Sequence, residues 1–114
     1  MKQCKHGGCS NPVRPGKLEC RQCTRLKEKY GITVPERDAM LAEQNFECAI
    51  CFSPIEFTGR HGNLGKHDAN TDHCHSNGHV RGILCGPCNV TLGKYEDDPE
   101  VFKRMAQYLE DNKL

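Results

Sequence analysis

Three polar side chains and four pairs of cysteines carry the chemistry open to this chain. Asp72-His73-Cys74-His75 runs through Ser76 to the turn pair Asn77-Gly78, and Val80-Arg81-Gly82-Ile83-Leu84-Cys85-Gly86-Pro87-Cys88-Asn89 follows after His79. Asp72 offers a hard anionic oxygen and Asn89 a neutral carbonyl oxygen, both suited to Mg2+ or Mn2+. An imidazole can take a proton from water near neutral pH, which suits His73 to general-base work. Six cysteines form C-x2-C pairs, Cys20/Cys23, Cys48/Cys51 and Cys85/Cys88; Cys4/Cys9 form a C-x4-C, and Cys74 stands alone. No apolar leader precedes them, so these pairs read as zinc ligands before disulfides.

Local elements must bring these groups together. Asn-Gly favours a two-residue hairpin turn, because both positions tolerate positive φ. Thr71, Asp72 and His73 then form one strand, and Val80, Ile83 and Leu84 suit the other. The Cys85/Cys88 knuckle follows, with Asn89 opening a helix that runs to about Tyr95. Adjacent strand residues face opposite sides, so Asp72 and His73 share a site only if the backbone bends or bulges there.

Further elements flank this unit. Residues 21–30 suit a helix closed by Gly31. Thr33 and Glu36 form a capping box for a helix to about Gln44, with Val34, Met40 and Leu41 turned inward. Ile55-Glu56-Phe57 suits a short strand. The polar, glycine-rich stretch 58–70, with Arg60, His61, Lys66 and His67, divides evenly between a loop over DNA and a plain solvated loop. Asp98 and Pro99 start a last helix, whose stripe Val101, Phe102, Met105, Tyr108, Leu109 reads as core, with a homodimer seam as the minority alternative.

Composition bounds the whole. A chain of 114 residues with 36% hydrophobic residues and no Trp has a lean core, which bound zinc would supplement. No run is long enough to span a membrane. The formal charge of +1 is unevenly spread: residues 1–30 hold eight Lys/Arg against two acids, and residues 96–114 three against six. Eight thiolates on two zinc ions would turn the net charge negative. The basic N-terminus, with Arg14, Lys17, Arg21 and Arg25, therefore matters more than the total as a phosphate-contacting surface.

The pieces Asp72-His73-x-His75, Val80-Arg81-Gly82-Ile83-Leu84-Cys85 and Cys85-x2-Cys88-Asn89 resemble the recombination endonuclease VII branch of the HNH, or His-Me finger, nucleases. Tyr30-Gly31-Ile32-Thr33 and Cys48-Ala49-Ile50-Cys51 extend the resemblance over roughly residues 30–110. It implies a small α+β zinc-stabilised domain: a ββα-metal motif with flanking helices over 31–114, preceded by a basic zinc knuckle and short helix over 1–30. Cys48, Cys51, Cys85 and Cys88 would form one structural zinc site, a pairing that spacing alone leaves open. Cys4, Cys9, Cys20 and Cys23 would form another, with His6 a rival ligand. The implied reaction is hydrolysis of a DNA phosphodiester, with Mg2+ or Mn2+ on Asp72 and Asn89 and His73 as base. His75 would bind phosphate or donate a proton, and Arg81 would contact a neighbouring phosphate. An intracellular protein of phage or mobile-element origin is the matching source. Some relatives carry a glutamate where this chain has Leu92, leaving Asp68 and Glu96 as unranked substitutes.

A noncatalytic zinc module that binds nucleic acid or protein is the competing reading. The combination of Asp72, His73 and Asn89 favours the nuclease, since a binder has no need of it. A redox dithiol protein fits poorly, because no βαβ pattern surrounds a C-x2-C.

Overall fold

The computed structural model describes residues 2–58, 64–74 and 76–113. His75, Arg60 and His61 lie outside the described residues. The described elements run α1 (Arg21–Tyr30), α2 (Val34–Glu43), β1 (Ala69–His73), β2 (Val80–Cys85), α3 (Gly86–Lys94) and α4 (Pro99–Asp111).

Helix ends follow local chemistry. Gly31 closes α1 in a left-handed conformation, φ 75°, with its N–H on Lys27 O. Thr33 and Glu36 form both bonds of the capping box that starts α2. Asp98 caps α4 and accepts from the Glu100 N–H at 3.0 Å. Cysteine sulfur does the same work elsewhere: Cys20 Sγ accepts from Cys23 N at the start of α1, and Cys85 Sγ from Cys88 N at the start of α3. The helix expected to open at Asn89 thus begins at Gly86, and Asn89 sits a full turn inside it.

The sheet is an antiparallel pair whose register runs Ala69↔Cys85 to Asp72↔Gly82 and then shifts to His73↔Val80. Arg81 is the extra residue, so the irregularity between Asp72 and His73 is a bulge on the opposite strand. The connection is wider than the two-residue turn expected. Cys74 N–H donates to His79 O at 2.8 Å, and Gly78, at φ 78°, donates to Cys74 O at 2.7 Å. Asn77 is not among the residues at positive φ; its side chain accepts from the His79 N–H at 3.1 Å instead.

Two small cores hold these pieces. Cys4, Cys9, Val13, Cys20, Cys23, Leu26 and Val34 form the first, with Tyr30 and Ile32 packed against it. Leu41, Cys48, Ile55, Ala69, Ile83, Leu84 and Cys85 form the second, joined by Met40, Phe57, Cys88 and Leu92. One helix serves both, since α2 gives Val34 to the first and Leu41 to the second. Gln44, just past its end, caps the free edge of β2: its amide donates to Ile83 O at 2.8 Å and accepts from Ile83 N at 2.9 Å.

Two further expectations change. Residues 55–57 make a single parallel bridge, Glu56↔Asp68, rather than a strand. The apolar stripe of α4 is not core: this helix buries none of its residues, and Tyr108 and Leu109 are 68% and 67% exposed. Near its start, Phe102 packs edge-on to Tyr95 at 5.8 Å.

Candidate active site and zinc centres

Each set of four cysteines meets at one point. Within Cys4, Cys9, Cys20, Cys23, and within Cys48, Cys51, Cys85, Cys88, all sulfurs lie within 4.8 Å of one another. Zn–S bonds of about 2.3 Å in a tetrahedron place sulfurs about 3.8 Å apart. The recorded separations match: Cys9–Cys20 3.8 Å, Cys9–Cys23 3.9 Å and Cys51–Cys85 3.7 Å. A disulfide would need about 2.05 Å. Both clusters could hold zinc, and backbone N–H groups point at the sulfurs, including Val34 N to Cys23 Sγ at 3.3 Å. Such donors favour thiolate. Burial raises the Cys20 thiol, but the Cys23 N–H and the Asn11 amide outweigh it and bring it down to about 7. The Ser53 hydroxyl and N–H hold Cys51 at about 6. Burial pushes Cys23 up to about 12 and raises Cys88 as well, so these are the thiols that most need a cation to ionise.

His6 is no ligand among these. It bonds Glu19 at 2.7 Å, and Glu19 is held down to about 2 by His6, then by Thr24 and Lys27.

On the hairpin, Asp72 is buried and meets Arg81 as a two-pronged ion pair. Arg81 Nε donates to Oδ2 at 2.7 Å and Nη2 to Oδ1 at 2.9 Å. The second prong also lies 3.4 Å from Asp97 Oδ1, in the turn between α3 and α4. Asp72, then Asp97, raises the guanidinium above its ordinary range. Arg81, read from sequence as a phosphate contact, is thus engaged with the carboxylate beside it. The bulge explains this: as the unpaired residue of β2, Arg81 can turn its side chain onto Asp72.

His73 packs against Tyr30 of α1, ring centroids 5.2 Å apart and planes tilted 53°. Tyr30 and Asn89 line one groove with Arg25, Lys29, Arg37, Phe57, Asn70 and Thr71, a volume of about 410 Å³. Asn89 is half-buried there. Arg14 and Arg21 share a separate hollow at the N-terminal end of α1, while Lys17 lies exposed beyond it. Leu92 packs into the second core, so its position contributes no acid. Of the substitutes, Asp68 accepts from Thr58 Oγ1 and Gly65 N, both at 2.9 Å, and Glu96 is exposed.

Tyr30, Arg37 and Asp97 were missed in sequence. Tyr30 carried a signal, as the first residue of Tyr-Gly-Ile-Thr; Arg37 and Asp97 carried none beyond their charge.

The recombination endonuclease VII family model matches residues 23–111. The chain belongs to the recombination endonuclease VII family. It is 39% identical over 87 residues to the Gene 59 protein of Mycobacterium phage L5, covering 75% of this chain and 48% of that one. The Gene 59 protein of Mycobacterium phage D29 is 36% identical over the same extent. The chain spans about half the length of the curated relatives it matches. No solved structure matches it. The endonuclease VII match begins at Cys23, so it covers α1 from its third residue, the hairpin and the second cluster, and leaves three of the first four cysteines outside.

Proposed function

We infer that this protein is a metal-dependent DNA endonuclease of the HNH type, with the hairpin and α3 as its ββα-metal unit. One observation carries the reading: in a chain of the endonuclease VII family, the hairpin bearing Asp72 and His73 runs directly into the helix bearing Asn89, and a four-cysteine cluster fastens that junction. Asp72 and Asn89 would hold a divalent ion. Their donors fit one, since hard oxygens suit Mg2+ or Mn2+ and the Arg81 fork leaves each Asp72 oxygen a second lone pair. When bound, such an ion supplies charge stabilisation at the phosphate and the leaving 3′ oxygen.

The chain's own residues do the rest. Tyr30 holds the His73 ring in place. His73 takes the proton from the attacking water as the new P–O bond forms and the bond from phosphorus to the 3′ oxygen breaks, and that oxygen leaves with a proton from solvent. Arg81 holds the Asp72 carboxylate in one orientation. The zinc sites are closed and take no part in the chemistry.

A second reading, a noncatalytic zinc module for nucleic acid or protein, draws on the same Arg81 fork, which gives Asp72 a purely structural use. Nicking of supercoiled plasmid with Mg2+ or Mn2+ separates the two. Wild type should nick, and His73→Ala should be slower by about 10²-fold or more. Equal rates would remove His73 as the base, and an inert wild type with either metal would leave the binding module.

A further inference from the structure

The groove lined by Tyr30 and Asn89 carries three basic residues, Arg25, Lys29 and Arg37. Arg25 and Lys29 stand exposed on α1, one turn apart, in series with Arg21. Residues at this spacing share a helix face and lie about 6 Å apart along it. Arg37 lines the same groove and is only 8% exposed although charged. Its guanidinium stacks 3.9 Å over the Phe57 ring, and its Nε and Nη2 donate to Asp38 Oδ1 at 3.3 and 3.1 Å. Asp38 itself is half exposed, 53% at its side chain, so the pair is a weak neutraliser. A buried arginine, oriented by an aromatic face and lining a polar groove, is a fixed anion contact. Tyr30, whose ring packs against His73, and Asn89 line the same groove.

The geometry points to this groove as the track for one strand of a DNA duplex. Arg37 is the buried phosphate anchor, Arg25 and Lys29 are the outer rail, and the strand is handed past Tyr30 to His73. This rests on the nuclease reading for where the strand leads, but the contact itself needs no cleavage. It also gives α1 a task in substrate binding, beyond holding the first cysteine cluster in place. Backbone phosphate is the chemistry that fits: the cations stand alongside the amides and hydroxyl of Asn70, Thr71 and Asn89, and the polar part of the lining outweighs the apolar part given by Leu26, Tyr30, Phe57 and Ala69.

The test is anisotropy of a short labelled DNA duplex on the full zinc-loaded chain without added Mg2+ or Mn2+, at salt between about 50 and 200 mM. Arg25→Glu/Lys29→Glu should bind about tenfold more weakly, and its log–log salt slope should be shallower by about two, one unit per lost phosphate contact. Arg37→Lys keeps the charge but loses the stacked fork, and should fall between this variant and wild type. Lys103→Glu/Lys113→Glu, on exposed ion pairs of α4, should match wild type. Zinc content and circular dichroism of each variant establish folding; the exposed pair keeps the test decisive if Arg37→Lys fails to fold. Wild-type affinity and slope in the Arg25/Lys29 variant would overturn the track, even if plasmid nicking stands. Preference for a duplex RNA competitor would overturn its assignment to DNA. Binding lost in the variant while wild type binds but never nicks would support the track and remove the nuclease reading.

Discussion

Arg81 shows how one side chain changes the meaning of its neighbours. From the sequence it is a cation beside a histidine-rich turn, available to phosphate. In the fold it is the bulged residue of β2, and its fork closes on Asp72. Asp72 is 6% exposed, so removing the fork strands a carboxylate away from water. Arg81→Met should therefore destabilise the protein by about 2–3 kcal/mol in urea unfolding, and adding Asp72→Asn should recover most of that loss. An unchanged midpoint for the single variant would mean that solvent already satisfies Asp72. The residue types at the hairpin were legible because Asp, His and Asn in that order suit a metal-assisted hydrolysis. The ion pair was not, because which side chain meets Asp72 depends on the register and on a bulge that no local signal announces.

Secondary elements were most legible where capping chemistry is local. Gly31, the Thr33/Glu36 box and Asp98-Pro99 each fix a helix end within a few residues, and each stands where such signals put it. The start of α3 was hidden because a cysteine took the capping role of serine or aspartate, so the knuckle and the first helical turn are the same residues. This overlap leaves little room. A Cβ on Gly86 would come within 2.3 Å of the Leu64 backbone, and Gly86 N–H donates to Gly65 O at 3.1 Å. Gly86→Ala should accordingly cost about 1–3 kcal/mol in thermal or chemical unfolding through forced backbone shifts. A wild-type melting curve would show that residues 64–65 can withdraw freely from α3.

For the molecule as a whole, two cysteine-centred cores joined by α2 replace the single apolar core that a chain with 36% hydrophobic residues can scarcely build. Metal analysis should find about two zinc per chain. Cys20→Ser/Cys23→Ser should lose one zinc and keep the second cluster. Acid or a strong chelator should release both zinc ions, because thiolate ligands must be protonated or outcompeted, and helical circular dichroism should fall with them. Retention of full helicity after zinc removal would show that packing alone holds the fold. The molecule is elongated, 61 × 28 × 24 Å, and the apolar stripe of α4 lies largely open. Periodicity revealed that α4 has an apolar face but not whether this chain folds back to cover it.

The two clusters also differ in how much chain they must gather. The first needs only Cys4 to Cys23, whereas the second joins Cys48 to Cys88 and so encloses the hairpin. Short closures are entropically easier, and a chain leaving the ribosome exposes its front first. Nascent protein should thus be metallated from the front, with α1 already set when Asp72 and His73 emerge and the unit bearing them sealed only after Cys88 has been synthesised.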